Sequence, residues 1–194
     1  SSYVERALRR IGYKTMHQIV DMYEYGAPQN RKRFILVAMR DYFPKDVFET
    51  LARNKDAFCL SKGISCTTSI KDAISDLEQA NGSMPSPDTK GFMAGTYGPE
   101  QSGYQRLMRS GIETTGLIAD SHRFVNHRKN TIKLHKELLE KAPVGKRITP
   151  SDNIVENLNR RGVTVLDANA QAPTVTSIPD ELPRLPSLPE CYAK

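Results

Sequence analysis

Val4, Ala7, Leu8 and Ile11 recur at helical spacing and predict a helix, with Gly12 placed to stop it. The pattern then changes. Tyr13 to Val20 reads as a strand, Asp21 to Arg31 as a turn region, and Arg33 to Met39 as a β-rich buried run. These first forty residues look like the tail of a mixed sheet with a helix on it. Such a unit cannot bury both of its faces alone and exposes apolar surface unless something covers it.

Further along, Pro44 can open a short helix with Val47, Phe48 and Leu51 inward. Ser69 caps a helix from Ile70 to Leu77 that carries Ile70, Ala73, Ile74 and Leu77 on one face. Asn81 to Gly98 is rich in Gly, Pro and Ser and predicts a long loop. Ser102 to Arg109 predicts a short helix. Asn130 to Lys141 predicts another, with Ile132, His135, Leu138 and Leu139 as its inner stripe. Thr149-Pro150-Ser151-Asp152 opens a further helix to Arg161, closed by Gly162. Val163 to Leu166 and Thr174 to Ile178 read as short strands. Pro183, Pro186 and Pro189 suggest an extended polyproline tail. The fold class expected is mixed α+β.

Composition narrows this picture. The chain has 194 residues, 38% hydrophobic and 26% charged, room for one domain with a modest core and a smaller appendage. No apolar run reaches the ~20 residues of a membrane span, and the first residues carry no signal pattern. Three irregularly spaced cysteines predict neither a disulfide framework nor a zinc site, but idle thiols in a reducing compartment. His122 and His127 lack a third ligand nearby, so no metal is expected.

The net charge of +6 is concentrated in two islands. Residues 121–147 hold eight Lys or Arg against two Glu, and residues 1–40 hold eight against three acids. Two basic islands on a weakly charged body suit a polyanion, since each neutralised phosphate releases a counterion. The plainer alternative for the second island is a solvated helix face.

The densest cationic site is Gln29-Asn30-Arg31-Lys32-Arg33, between the bend Tyr25-Gly26-Ala27-Pro28 and the run Phe34-Ile35-Leu36-Val37-Ala38. If one strand carried all of it, Gln29, Arg31 and Arg33 would share a face and Lys32 would take the other. Two guanidiniums on one face suit an anionic or carbonyl-rich ligand, because each offers a planar fork of donors. The alternative is a solvated charge cluster ahead of a core strand.

The wider phrase is more specific. Leu8-Arg9-Arg10-Ile11-Gly12-Tyr13 and then Tyr25 to Val37 closely resemble the Gln-x-Arg-x-Arg region of DNA (cytosine-5-)-methyltransferases. Ser69 to Leu77 resembles the Val-x-Asp-Ala-Ile-x-Asp-Leu segment of that family. Gln101 to Arg109 resembles its Ser-x-Tyr-Gln-x-x-Met-Arg segment. His122 and His127 fit a loose His-containing stretch, followed by Pro143-Val144-Gly145. Gln171-Ala172-Pro173-Thr174-Val175-Thr176 resembles the Pro-Ala-Pro-Thr-Val-Thr signature that follows the target recognition domain. The likeness covers most of residues 3 to 180, and its two ends are its most specific parts.

The sequence also departs from the family. The nucleophile belongs in a Pro-Cys pair, whereas Cys59 follows Phe58, Cys66 follows Ser65 and Cys191 follows Glu190. The Gly-rich turn for S-adenosylmethionine and the Glu-Asn-Val acid motif are not found here. After Asp180 the usual His-Pro and Arg-x-Leu-Thr stretch is replaced by a Pro-rich one. The resemblance therefore implies a C-terminal fragment, inactive alone. Residues 1–43 would end the α/β catalytic domain, 44–170 would form a small irregular α+β target recognition domain, and 171–194 would be a return segment with a Pro-rich tail.

The family's reaction gives the residues their implied roles. A thiolate adds to C6 of a flipped cytosine, and C5 then takes a methyl group from S-adenosylmethionine. Charge that builds on N3 and O2 needs preorganised donors. By resemblance, Arg33 would hydrogen-bond O2. Arg31 would face the nucleophile region or a target phosphate. Gln29 would steady the loop or fill the opened duplex, and Lys32 is the weakest candidate. Arg106, Arg109, Arg128 and Lys129 are the DNA-contact candidates, with Asn81, Thr96, Gln101 and Asn126 as further polar loop positions. The implied cofactor is S-adenosylmethionine for the parent enzyme, with none expected in this fragment.

The implied partners are duplex DNA, the N-terminal catalytic part of the same protein and, in a restriction-modification system, a cognate restriction endonuclease. The implied setting is cytoplasmic and nucleoid-associated, bacterial or phage. Two rival classes remain: a non-catalytic basic DNA-binding module or degenerate relative, and a structural domain of a larger assembly. Salt-dependent DNA binding separates the last from the others.

Overall fold

The computed structural model describes residues 2–112, 114, 117–119, 122–174 and 181–184, and it is mixed α+β as the pattern predicts. Helix α1 (Ser2–Arg10) places Glu5 in its first turn and Arg9 and Arg10 in its last, which complements the helix dipole. Gly12, at φ +90°, ends it. The Gly12 and Tyr13 amides bond back to the Arg9 and Leu8 carbonyls, both at 3.1 Å, which satisfies two of the orphan acceptors.

Strands β1 (Lys14–Asp21) and β2 (Lys32–Met39) follow as an antiparallel pair, with Ile19 opposite Phe34 and Val20 opposite Arg33. An isolated two-stranded pair is marginal in water. Here α1 and the long helix α2 (Pro44–Ser61) pack against it. The Glu5 carboxylate and His17 Nδ1, 2.8 Å apart, tie α1 to β1. The run Arg33 to Met39 is only half-buried, and Ile19 and Phe34 remain 69% and 49% exposed. The physical reason is the one visible in the sequence: two strands and two helices have too little apolar surface to cover both faces.

Helix α2 is 18 residues long rather than short. It buries Phe48 and Cys59 but leaves Val47 and Leu51 partly exposed. Helix α3 (Ile70–Ile74) starts in a capping box, with Ser69 and Asp72 satisfying each other's backbone amides at 3.1 Å. It tightens into a 3₁₀ turn over Ser75–Leu77. The predicted loop from Asn81 to Gly98 instead holds a small antiparallel pair, β3 (Ser83–Pro85) and β4 (Met93–Gly95). Backbone groups of a segment that packs need partners, and this pairing supplies them. Helix α4 (Gly103–Met108) is capped by Ser102, and α5 (Lys129–Lys141) carries the second basic island.

The second core lies under α5. Leu138, Ala142, Ile148, Val163 and Val165 form it, with Leu134, Ile154, Val155 and Leu158 packed on. Strand β6 (Val163–Asp167) pairs antiparallel with β5 (Arg147–Ile148) and parallel with β7 (Glu181–Arg184). Pro183 thus lies in a strand rather than a polyproline helix, opposite Leu166. Pro186 and Pro189 lie outside the described residues. Of the strand expected over Thr174 to Ile178, Thr174 is not in a strand and the rest lies outside the described residues.

The predicted helix from Pro150 to Arg161 is reduced to one 3₁₀ turn, Pro150–Asp152. The capping pattern is correct, for Asp152 Oδ2 accepts from the Thr149 amide at 2.7 Å. Asn153 and Asn157 then take left-handed conformations, φ 51° and 60°, which asparagine tolerates better than most residues. That break lets Ile154, Val155 and Leu158 reach the core together.

His135 on α5 stacks edge-on against His127, with ring centres 5.0 Å apart. Burial, and then the nearby His127, hold the His135 pKa below its ordinary value of 6.5. The unfolded chain therefore binds this proton more readily, and stability rises with pH between the depressed value and about 6.5. The urea midpoint is expected to fall as pH drops through that window, and to fall less in His135→Gln. An equal pH dependence in both proteins would assign the effect to another group.

Candidate nucleic-acid interface

Gly26 sets up the cationic segment. Its φ of +87° suits glycine, and its amide donates to the Tyr23 carbonyl at 3.2 Å and the Cys66 carbonyl at 3.0 Å. A Cβ there would lie 2.7 Å from Ile64 Cδ1. The chain then runs into a clamp that no local pattern shows. The Asn30 amide donates to the Ala172 carbonyl at 2.8 Å, the Ala172 amide to the Pro28 carbonyl at 3.0 Å, and the Thr174 hydroxyl to the Asn30 carbonyl at 3.0 Å. Gln29 and Ala172 form a parallel bridge. On its other side, the 168–174 segment accepts the first amides of α3, from Lys71 at 2.8 Å onto Ala168 and from Ile70 at 2.9 Å onto Ala170. The two most specific stretches of the sequence therefore lie side by side.

This clamp corrects the expectation of one shared strand face. Gln29 sits in its own bridge and Arg31 precedes β2, so strand alternation begins only at Lys32. Arg33 is half-buried and spends one donor on the Lys32 carbonyl, Nη1 to O at 3.1 Å. Arg31 is exposed, and its guanidinium has no hydrogen bond or ion pair among the described residues. The arrangement offers two cations beside a fixed backbone, which suits an anion or a carbonyl oxygen.

The other candidates separate. Arg106 is exposed on α4, Arg128 is exposed just before α5, and Lys129 is exposed at its first position. Arg109 is not a surface contact. Its side chain is 10% exposed, and Nη1 reaches the Gly98 carbonyl at 2.8 Å and Asp76 Oδ2 at 3.3 Å. Its Nη2 donates to the Thr114 hydroxyl at 2.5 Å, and the guanidinium stacks 4.5 Å from the centre of Tyr97. The Asn81 carboxamide donates to the Ser75 carbonyl at 3.0 Å, the Thr96 hydroxyl donates to the Asn81 carbonyl at 3.1 Å, and Asn126 donates to the Gly91 carbonyl at 3.1 Å.

Sequence reasoning also missed Gln105. It is fully buried, accepts from the Gln101 amide at 2.6 Å and donates to the Ser75 hydroxyl at 2.8 Å. With Ser102, whose hydroxyl donates to the Asp72 carbonyl at 2.5 Å, these polar side chains fasten α4 to the α3 turn. The spacing 102, 105, 109 puts them on one helix face, and all three fall in the Ser-x-Tyr-Gln-x-x-Met-Arg segment, so the signal was there as a motif without a structural role.

Neither described cysteine suits nucleophilic attack. Cys59 is buried, and the Cys66 thiol is pushed up to about 12, first by its hydrogen bond with the Cys59 side chain and then by burial. Only a thiolate attacks, so Cys66 is inert near neutral pH. Cys191 lies outside the described residues. Among the described residues no group of three His, Cys, Asp or Glu could hold a metal ion, and no helix is long and apolar enough to cross a membrane.

A family model, C-5 cytosine-specific DNA methylase, matches residues 4–179, most of the chain. This chain belongs to the C-5 cytosine-specific DNA methylase family. No curated protein and no solved structure matches it. As a cytosine-specific DNA methylase domain, it is a methyltransferase relative whose family chemistry is DNA methylation. S-adenosylmethionine is the donor this family typically uses. In this methylase chain Arg31, Lys32 and Arg33 form a cationic segment at the start of β2.

Proposed function

We propose that this chain is the base-holding and target-reading part of a DNA (cytosine-5-)-methyltransferase, with the nucleophile and the S-adenosylmethionine site contributed by residues outside it. The observation that carries the reading is the clamp of Pro28–Asn30 against Ala172 and Thr174. It fixes the backbone from which Arg31 and Arg33 project, and preorganised donors are what a ring gaining charge requires. In this reading Arg33 binds O2 of the flipped cytosine, Arg31 meets the nucleophile region or a target phosphate, and Gln29 supports the opened duplex. Residues 1–43 complete the catalytic domain, 44–170 read DNA, and 171–194 return to the motif. Alone, the chain does not transfer methyl groups.

Arg106, Arg128 and Lys129 supply phosphate contacts, whereas Arg109 holds the recognition region together from within. Equilibrium binding of the chain to duplex DNA at several salt concentrations tests this. Log affinity is expected to fall linearly with log salt, and Arg128→Ala or Lys129→Ala should each lower the slope by about one. A response flat in salt would remove the basic islands as a DNA surface.

A further inference from the structure

We propose that the groove between α5 and the 150–158 segment reads base edges of duplex DNA, through the carboxamides of Asn130, Asn153 and Asn157. The inference rests on the reading that this chain docks on DNA, and adds which side chains carry sequence preference. The groove encloses about 1190 Å³ and has Asn130, Thr131 and Lys133 on the α5 wall. Asn153 and Asn157 stand on the facing wall. All three carboxamides are exposed where they line the groove, and none has a hydrogen-bond partner among the described residues. A carboxamide presents a donor and an acceptor in one plane, the arrangement that pairs with the N6 and N7 edge of adenine in the major groove.

Charge distinguishes the groove from its flanks. Within the groove Lys133 and Lys141 balance Glu137 and Glu156. Outside it the exposed Arg128 and Lys129 lead into α5, and the exposed Arg160 and Arg161 follow Leu158. A cationic rim holds phosphates without regard to sequence, and the three exposed carboxamides on the groove walls are left for the bases. That is the division of labour expected when backbone contacts position the protein and base contacts specify the site. Glu137 and Glu156 are acceptors that a cytosine N4 amino group can use.

The left-handed conformations of Asn153 and Asn157 give a clean variant. Glycine adopts those angles without strain, so Asn153→Gly/Asn157→Gly removes both carboxamides and keeps the backbone path. Duplexes with a randomised centre are selected on the wild-type chain and on this double variant, beside salt-dependence measurements on both. The wild type is expected to enrich a defined sequence. The variant should keep the same salt slope and lose preference at one or more positions, each by about tenfold to a hundredfold. Identical enriched sequences from both proteins would overturn the inference. So would a wild type that binds duplex DNA but enriches nothing, and that result would leave the broader docking reading standing. No duplex binding at all would overturn both.

Discussion

Replacing Arg33 with alanine is expected to slow methyl transfer by about two to three orders of magnitude, the usual cost of losing one preorganised donor to developing charge. The assay requires a methyltransferase that carries this chain together with its nucleophile and donor site. The geometry explains why the loss should fall on the chemical step. Arg33 stands in β2 opposite Val20, half-buried, with one donor already held by the Lys32 carbonyl. The remaining donors need little reorganisation when charge appears on the cytosine. Phosphate contacts elsewhere carry most of the ground-state affinity, so DNA binding should change far less. Arg33→Lys should not restore the rate, because a planar fork becomes a single point charge. Lys129→Ala should do the reverse, weakening DNA binding while turnover at saturating DNA stays near normal. Single-turnover methylation beside equilibrium binding separates the two. Normal turnover by Arg33→Ala at saturating DNA would reduce the cationic segment to a surface cluster.

The sequence was legible wherever short-range pattern decides structure. The helix before Gly12, the two strands around the cationic segment, the Ser69 cap and the basic helix α5 all follow from local periodicity and capping chemistry. It was illegible where partners lie far apart. Ala172 meets Asn30 across more than half the chain, so nothing near either residue announces the clamp. The helix expected beyond Pro150 had a correct cap and a plausible apolar rhythm. Tertiary demand then drew Ile154, Val155 and Leu158 to the core and broke the helix at Asn153. The Asn81 to Gly98 segment has loop composition, yet a short strand pair gives its backbone partners.

Arg109 shows the same limit for a site residue. As a cation on a polar helix it reads as a DNA contact, but its partners come from three other segments, at Asp76, Tyr97–Gly98 and Thr114. Removing it should leave Asp76, 5% exposed, as an uncompensated charge. Arg109→Ala is therefore expected to destabilise the chain by about 3–5 kcal/mol at neutral pH, the range for breaking one side of a buried pair. Burial already raises the Asp76 pKa above its usual value, and the Arg109 charge is what restrains it. Without Arg109 the carboxyl should take up a proton at higher pH. The folded chain would then bind that proton more readily than the unfolded one, so the deficit should shrink as pH falls. Asp76→Asn placed on Arg109→Ala should recover part of the loss, because a neutral amide needs no counter-charge. Urea unfolding of the two single variants and the double variant, at neutral pH and near pH 5, measures each step. If Arg109→Ala keeps wild-type stability and loses only DNA affinity, the residue is a phosphate contact after all, and the buried network around Tyr97, Gly98 and Thr114 does not depend on it.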